Sequence, residues 1–354
     1  MEILEINETP VRTSKNFNIN NIKLENIVIP EIINNFDGLE IINESNKVII
    51  ENNNFNIDLN YGLGDVLTNL NKQKSNKNIN IIIDGKKNSE IQLNFDFDKN
   101  NLNLIENINI VANEGSKANL IIKYKSNENE SAFHNGIIKV LAKEKSKINI
   151  TLVSLMNDNS NNFISIQNEM ENESNVNYVF VDFGGNVSCT NYFSNIIGKE
   201  ADNKINTIYL GKNKQIFDYN YIAELRGTKT NVDIDVIGAL NENSKKHFKG
   251  TIDFKKGAKK ATGNENEYCM LLSDNAKSIA LPMLLCQEED VLGNHSSAAG
   301  KLGERELFYI MSRGFTRKEA LKLMVRAKFN KVLDKIQNEK LKVEIIEEID
   351  KRLD

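Results

Sequence analysis

Histidine and cysteine are scarce in this sequence, so each one is a candidate for chemistry. The chain has 354 residues, with three histidines and three cysteines. His295 lies in the segment NHSSAAGKLGERELFYIMSRGF, and Cys286 lies shortly before it. Imidazole nitrogen and thiolate sulphur both bind iron and zinc. No second ligand stands at the spacing of a metal motif. From the residues alone, His295 is therefore more often a histidine satisfied by hydrogen bonds, and Cys286 a buried structural thiol.

The remaining reactive residues give no stronger signal. His134 and His247 are interpreted as surface residues. Cys189 and Cys269 complete an odd set of cysteines without CxxC spacing, which indicates a reducing compartment rather than a disulfide framework. A GxxxxGK[ST] motif is absent from the sequence, so we expect that the chain does not hydrolyse ATP by itself.

Charge and hydropathy limit the classes of protein to which this chain can belong. The net charge is −4, which gives no electrostatic case for nucleic acid as the main partner. The lysines between Lys245 and Lys260 are explained by outward positions along strands. The first residues lack the features of a signal peptide, and no apolar run reaches the length of a membrane span. These patterns predict a cytoplasmic protein with no membrane partner.

A repeat of strand-like segments organises the middle of the chain. Each copy has a short polar turn and then alternates apolar with polar residues, which is typical of strands with one buried face. The apolar anchors of the copies are Ala118, Ile148, Val176, Ile205 and Val232, with a weaker sixth copy at Ala261. The polar residues that follow the anchors are Asn119, Asn149, Asn177, Asn206 and Asp233. A repeat of about 30 residues without helical periodicity predicts a β-solenoid, in which matched asparagines can form ladders.

The two ends of the chain differ from this repeat. A solenoid needs covered ends, so we expect the N-terminal lead to cover one end and helices to cover the other. Leu307, Ile310 and Met311 indicate a helix that ends at Gly314, and Thr316 with Glu319 forms a capping box. Two further helices are predicted over 316–336 and 339–353. The predicted division is 1–45 lead, 46–300 β-helix core and 301–354 helical subdomain.

The segment from residue 271 to 333 resembles the C-terminal signature of the SufB/SufD family of iron–sulphur cluster assembly proteins. The matching residues are Leu271, Leu272, Pro282, Asp290, Val291, His295, Ala298, Gly300, Leu307, Phe308, Tyr309, Ser312, Arg313 and Gly314. Residues 238–261 and 9–20 resemble further segments of the family. The resemblance implies a mainly β fold, a right-handed parallel β-helix followed by a small C-terminal helical subdomain.

The resemblance also implies a function. It implies a non-catalytic scaffold subunit that pairs with a SufB-like subunit, or with a second copy of itself, and docks a SufC-like ABC ATPase. An iron–sulphur cluster is then held transiently at a subunit interface, near His295 and, more weakly supported, Cys286. Ala276 and Ser296 stand where SufB-type chains carry cysteine and glutamate, so the chain is SufD-like. Gly293 replaces a cysteine that SufD-type chains often carry.

The helix over 316–336 is apolar over more than one face. By resemblance, this width marks the ATPase interface, for which we select Arg313, Gly314, Phe315, Ala320, Leu323, Met324 and Ala327. Two other classes remain open at this stage: a carbohydrate-active β-helix enzyme and a structural solenoid that binds partners. Co-purification with a P-loop ATPase favours the scaffold, whereas binding to acidic glycans favours the enzyme.

Overall fold

A computed structural model describes residues 3–13, 19–43, 48–51 and 61–354. The predicted boundary at 45/46 and residues 14–18 of the N-terminal lead lie outside the described residues. The strands are β1 (Ile3–Ile6), β2 (Ile22–Glu25), β3 (Leu39–Asn43), β4 (Val48–Glu51), β5 (Lys77–Ile83), β6 (Ser89–Phe97), β7 (Asn103–Ala112), β8 (Lys117–Ser126), β9 (Phe133–Ala142), β10 (Lys147–Leu155), β11 (Asn161–Met170), β12 (Asn175–Asp182), β13 (Val187–Ile196), β14 (Asp202–Gly211), β15 (Ile216–Leu225), β16 (Asn231–Leu240), β17 (Lys245–Phe254), β18 (Ala261–Leu271), β19 (Lys277–Cys286) and β20 (Val291–Lys301). The helices are α1 (Asp65–Lys74), α2 (Glu304–Met311), α3 (Arg317–Leu333) and α4 (Glu339–Arg352).

The strands from β5 onward build a parallel β-solenoid of about eight coils, which confirms the predicted mainly β fold with C-terminal helices. Sheet 1 has the order β20-β18-β16-β14-β12-β10-β8-β6-β3, and sheet 2 has the order β19-β17-β15-β13-β11-β9-β7-β5-β4. Within both sheets β5 to β20 pair in parallel, while β3 and β4 add an antiparallel strand at the N-terminal end. Each coil therefore contributes one strand to each sheet.

The inward row of side chains forms one continuous apolar core between the sheets. The predicted anchors are buried, as the alternation requires: Ala118, Ile148, Val176, Ile205 and Val232. The predicted alignment is wrong by two residues in two copies. Val176 pairs with Asn203 rather than Ile205, and the sixth copy aligns at Gly263 rather than Ala261. A shift of two residues keeps a side chain on the same face, so the burial is unaffected.

An asparagine ladder runs along the outer face of sheet 1. The side-chain amide of Asn149 donates to Asn119, and that of Asn177 donates to Asn149, each at 2.9 Å. The next position is Lys204 and not Asn206, because of the same two-residue shift. These bonds satisfy polar groups along a stacked row, which confirms the ladder expected from matched asparagines.

A column of left-handed turns closes successive coils at one corner. Five non-glycine residues there have φ between 55° and 60°: Lys145, Glu173, Glu200, Lys229 and Lys260. Each donates its backbone N–H to the following coil, as Lys145 does to the carbonyl of Asn172 at 2.9 Å. Coil-to-coil hydrogen bonds thus hold a backbone conformation that non-glycine residues seldom adopt.

The C-terminal helices lie along the outer face of sheet 1 and do not cap the last coil, so that expectation is wrong. Val325 and Phe329 of α3 pack on a patch that includes Val181, Phe183 and Ile208 of the sheet side. The reason is the apolar outer row of sheet 1, which needs cover from water. The capping box of Thr316 and Glu319 is present at the start of α3. None of the helices in the described ranges has the length and apolar character needed to span a membrane.

The N-terminal lead packs on the solenoid at two different places. Strands β1 and β2 pair with each other and pack Leu4 and Ile6 against the outer face of sheet 2, where Phe163 and Cys189 lie. Phe36 enters the solenoid core at the N-terminal end. The lead therefore covers one sheet face as well as one end, whereas none of the described helices lies over the other end.

Candidate functional site: the last coil

The last coil consists of β19 and β20, the terminal strands of the two sheets. No residue of β20 is buried, in contrast to β16, where seven of ten residues are buried. Leu292 is 60% exposed and Ile279 is 38% exposed. A terminal strand presents unpaired backbone groups along its free edge, which is a template for another chain. The fold thus leaves one open end, built from the segment that carries His295.

His295 lies on the inward row of this last coil. It pairs in register with Glu265 of β18, and Glu265 pairs with the core residue Ile234 of β16. The side chain of His295 is exposed because no coil follows it. Residues on the same face of neighbouring strands lie about 4.8 Å apart. The fold therefore places His295 one coil beyond Glu265, a residue that sequence analysis did not select, on the same inward row.

Glu265 is buried completely, and neither of its carboxylate oxygens has a hydrogen-bond partner. Burial, together with the negative charge of Glu267, raises the pKa of Glu265 to about 8. Gly250 of the facing sheet provides the room, because a β-carbon at that position would lie 2.3 Å from one oxygen of Glu265. The side chain thus fills a space that its neighbours leave open.

A buried ion pair lies beside Glu265. The ammonium of Lys246 lies 2.6 Å from a carboxylate oxygen of Glu267, and both side chains are fully buried. Lys246 also donates to the carbonyl of Ile279 at 3.3 Å, and Ser297 of the last coil donates to Glu267 at 2.8 Å. The prediction that the lysines of this stretch point outward is wrong for Lys246, which lies on the inward row of β17.

The cysteines divide into two classes. Cys286 is exposed, contrary to its interpretation as a buried thiol, because it stands on the inward row of the uncovered last coil in register with Phe254. Its Sγ lies 3.0 Å from the carbonyl oxygen of Glu288. Cys189 and Cys269 are buried, and burial raises the pKa of both thiols. Cys286 is thus the accessible thiol of the three.

The other two histidines are not surface residues as expected. His134 is fully buried inside the solenoid, where its ring nitrogens lie 2.6 Å from Asn162 and 3.3 Å from Glu106. His247 is mostly covered, and burial lowers its pKa. Asn162 and Glu106 satisfy the His134 ring, which is the ordinary structural role of a buried histidine, whereas Nδ1 of His247 lies 3.7 Å from a carboxylate oxygen of Asp218.

The residues selected for an ATPase interface surround the turn between α2 and α3. Arg313, Gly314, Phe315, Leu323 and Ala327 are exposed, and Met324 is partly exposed. Ala320 is buried completely and offers no contact surface. Gly314 has a φ of 98°, which explains a glycine after the helix end. Sequence analysis did not select the two most exposed apolar residues of this surface, Phe308 at 73% and Tyr309 at 59%, or Met311 at 38%.

The metal-binding capacity of the described part of the chain is limited. No group of three or more histidine, cysteine, aspartate or glutamate side chains within it is arranged to hold a metal ion. The exposed imidazole of His295 is a donor of a kind that iron and zinc accept. A cluster at this position would thus need further ligands from outside the chain.

Comparison with known proteins agrees with this architecture. The family model of the SUF system FeS cluster assembly SufBD core domain matches residues 95–328. The iron-sulfur cluster assembly protein SufD of Bacillus subtilis is 21% identical over 265 residues, covering 74% of this chain and 61% of that protein. A SufBD family protein of Staphylococcus epidermidis is 20% identical, covering 68% of this chain and 52% of its own length. A SufBD family protein of Mycobacterium leprae is 20% identical over 241 residues, covering 67% of this chain and 27% of its own length.

The chain thus spans from about a quarter to about three fifths of the length of these relatives. The matched core domain covers the solenoid from β6 to β20 and continues into α3. Its span includes the open last coil with His295 and the turn that presents Arg313. The chain belongs to the SufB/SufD family of iron–sulphur cluster assembly proteins and is SufD-like.

Proposed function

We propose that this chain is a non-catalytic, cytoplasmic subunit of a Suf complex that pairs with a SufB-like subunit through its open last coil. The observation that carries the proposal is the uncovered strand β20, none of whose residues is buried. Exposed strand edges of this kind are normally blocked by charge, proline or a covering element. Here the outward residue Leu292 is apolar, and small residues follow His295, so a second strand can approach closely.

The cargo at this interface is an iron–sulphur cluster under assembly. His295 and, with less support, Cys286 are the groups that this chain presents there, because both stand on the inward row of the last coil and both are exposed. Imidazole and thiolate are the two common protein ligands of iron in clusters. The partner supplies the remaining ligands, and the isolated chain holds no cluster tightly.

The second contact is with a SufC-like ABC ATPase at the surface formed by α2, the turn after it and the start of α3. Phe308, Tyr309 and Phe315 present aromatic side chains to solvent, and Arg313 lies against the Tyr309 ring, 5.2 Å from its centroid. Aromatic residues and arginine are enriched in the energetically dominant part of protein interfaces. This surface lies apart from Leu292, so the two partners can be tested separately.

Pairing through the last coil is tested with a charge on its apolar residue. We expect Leu292→Glu to abolish the complex with the SufB-like subunit when both are co-expressed, because a carboxylate in a dry interface costs several kcal/mol. Val343→Glu is the matched control, since Val343 is 52% exposed on α4. Light scattering measures the mass of the complex formed by each of the two variants. Intact complex in Leu292→Glu, with iron content unchanged, contradicts the pairing surface.

ATPase docking is tested with Phe308→Glu against the same Val343→Glu control. A pull-down with the SufC-like ATPase is expected to lose the Phe308 variant and retain the control. Met324→Glu is a weaker probe, because Met324 is partly buried and its substitution also perturbs α3. Circular dichroism checks that each variant remains folded. Retained ATPase binding by the folded Phe308 variant rejects this surface.

A further inference from the structure

A cavity of about 150 Å³ lies between the outer face of sheet 1 and the turn that joins α3 to α4. Two hydrogen bonds fix this turn, residues 334–338, to the sheet. The side-chain amide of Asn338 donates to Glu90 at 2.9 Å, and that of Asn119 donates to Gln337. None of the described residues that line the cavity belongs to β19, β20 or α2, so it is separate from both surfaces of the proposed function.

The floor of the cavity combines an apolar row with a polar one. Ile121, Thr151 and Val179 are neighbours in register on three adjacent strands of sheet 1. Ile336 of the turn packs in the same apolar cluster as Ile121 and Val179. The asparagine ladder runs beside this row, two positions earlier on each strand. Apolar walls with a small number of polar groups are the usual lining of a site for a small molecule.

Thr151 interrupts the apolar row. Its neighbours Ile121 and Val179 are buried, whereas Thr151 is partly exposed. Its hydroxyl makes no hydrogen bond within the part of the chain that the structure describes. A hydroxyl group can both donate and accept a hydrogen bond. Thr151 therefore offers a free polar group to a ligand in an otherwise apolar part of the cavity.

Two ammonium groups also line the cavity, those of Lys204 and Lys335. Lys204 lies 3.3 Å from a carboxylate oxygen of Asp202. Lys335 has no ion-pair partner among the described residues, and the adjacent Asp334 is bound to Lys342 at 2.8 Å. Lys335 thus contributes a positive charge that no neighbouring carboxylate balances.

The path of the chain places Lys335 over the middle of the cavity floor. Lys331, near the end of α3, pairs with Asp235 of β16, and Gln337 contacts Asn119 of β8. The chain between these two contacts crosses the strands β14, β12 and β10, which lie between β16 and β8 in sheet 1. Lys335 therefore lies above the part of the sheet that carries Thr151 and Val179.

The one carboxylate that lines the cavity, Glu90, lies at its far end. Glu90 is in register with Asn119, and Lys204 is in register with Asn177, so four strand spacings separate Glu90 from Lys204. This separation is about 19 Å. Charges that far apart are largely screened at physiological ionic strength, where the screening length is about 8 Å. The cavity is thus apolar at its floor and positive on the side of the lysines.

We propose that this cavity binds a small monocarboxylic acid with a compact apolar body, of the size of an aromatic acid. The apolar body packs between Ile121, Val179 and Ile336, and the carboxylate accepts hydrogen bonds from Lys335 and Thr151. A cavity of about 150 Å³ is of the size that takes up a benzene ring. The bound acid bridges the α3–α4 turn and sheet 1, so it stabilises the helical subdomain on the solenoid.

Benzoate is the probe, and saturation-transfer NMR on the full chain measures its binding. We expect saturable binding with a Kd of about 1 mM or tighter. Benzyl alcohol has a similar shape without the charge, and we expect it to bind at least about threefold more weakly. Lys335→Gln is expected to remove this preference for the acid. Lys340→Gln, at an exposed lysine of α4 that does not line the cavity, is the matched control and is expected to keep it.

Two substitutions of Thr151 test the position of the ligand. Thr151→Phe fills the cavity and is expected to abolish binding of benzoate. Thr151→Val keeps the shape of the side chain and removes the hydroxyl, and we expect it to weaken binding by about threefold or more. Circular dichroism checks that both variants fold.

Several results would overturn the proposal. The first is the absence of saturable benzoate binding at concentrations up to about 10 mM. The second is unchanged binding by a folded Thr151→Phe variant, because the ligand then lies elsewhere. Equal affinity for benzoate and benzyl alcohol excludes the carboxylate as the recognised group. If Thr151→Phe fails to fold, unchanged affinity in both Lys335→Gln and Thr151→Val overturns the site. None of these measurements involves the SufB-like subunit or the ATPase, so their outcome is independent of the proposed function.

Discussion

Replacing Lys246 with methionine tests how the interior of the last coils balances its charges. The Lys246 side chain is fully buried, with its ammonium 2.6 Å from Glu267 and 3.3 Å from the carbonyl of Ile279. The same ammonium lies 5.9 Å from the centroid of the Tyr209 ring and 5.8 Å from that of Phe248. Methionine fills a similar volume, so the substitution removes the charge and little packing.

The expected cost follows from what the substitution leaves behind. Removing one partner of a buried ion pair costs about 3–5 kcal/mol, because the other charge stays buried without compensation. The neighbouring Glu265 has a pKa raised to about 8, so it is mostly protonated at pH 7.5 and adds little repulsion, and the stranded charge is that of Glu267. The change is a large fraction of the unfolding free energy of a typical domain, about 5–15 kcal/mol.

Urea unfolding at pH 7.5, followed by circular dichroism, measures the effect. The neighbouring Lys245→Met is the control: Lys245 is exposed on the same strand, and we expect it to change the unfolding free energy by less than about 0.5 kcal/mol. Adding Glu267→Gln to Lys246→Met removes the stranded charge and is expected to recover about 2 kcal/mol. A loss below about 1 kcal/mol for Lys246→Met, or a double variant less stable than the single one, refutes the reasoning.

Three further predictions address other parts of the molecule. His295→Ala is expected to leave the unfolding midpoint of the chain unchanged, because the side chain is exposed, but to lower cluster assembly by the full complex. Equal iron incorporation by the variant and the original complex would show that His295 has no role in assembly. Burial raises the pKa of Asp182 to about 6, above its value of 3.8 in the unfolded chain, so the stability that this group contributes is present at low pH and is lost as the pH rises to 6. Between pH 5 and pH 7.5 the unfolding free energy of the original chain should fall by about 1 kcal/mol more than that of Asp182→Asn. Parallel pH profiles of the two proteins would contradict this. Phe329→Ala removes a buried ring between α3 and sheet 1 and is expected to lower the unfolding free energy by about 3–5 kcal/mol. In this variant α3 should be cleaved before the strands, and limited proteolysis that cleaves the strands first would disprove this.

Several features of this protein were predictable from local patterns in the chain. The alternation around Ala118 and Val232 identified buried strands, because side chains on a strand change face at each residue. A repeat of about 30 residues indicated one coil per copy, and the capping box at Thr316 placed the start of α3 within one residue. The family resemblance of the segment around His295 agrees with the core-domain match over residues 95–328.

Register between coils was not predictable, because a pattern of period two is unchanged by a shift of two residues. The hydrogen-bond ladder and the lengths of the corner turns fix it, and they align Asn203 rather than Ile205 with Val176. The same information was needed to find Glu265, which precedes His295 by one coil and has no local signal that it is buried.

Burial of charge was also decided by the tertiary structure. Lys246 and Lys249 are close neighbours in sequence, yet the first pairs with Glu267 inside the solenoid and the second with Asp218 on the outer face of sheet 2. Composition and alternation predict which side of a strand a residue occupies, whereas its partner comes from the facing strand, as for Lys246, or from a strand one coil away, as for Lys249. The sequence by itself determined the strands, the repeat and the helices, and the stacking of coils determined which charged groups meet, because those contacts join residues about 20–30 positions apart.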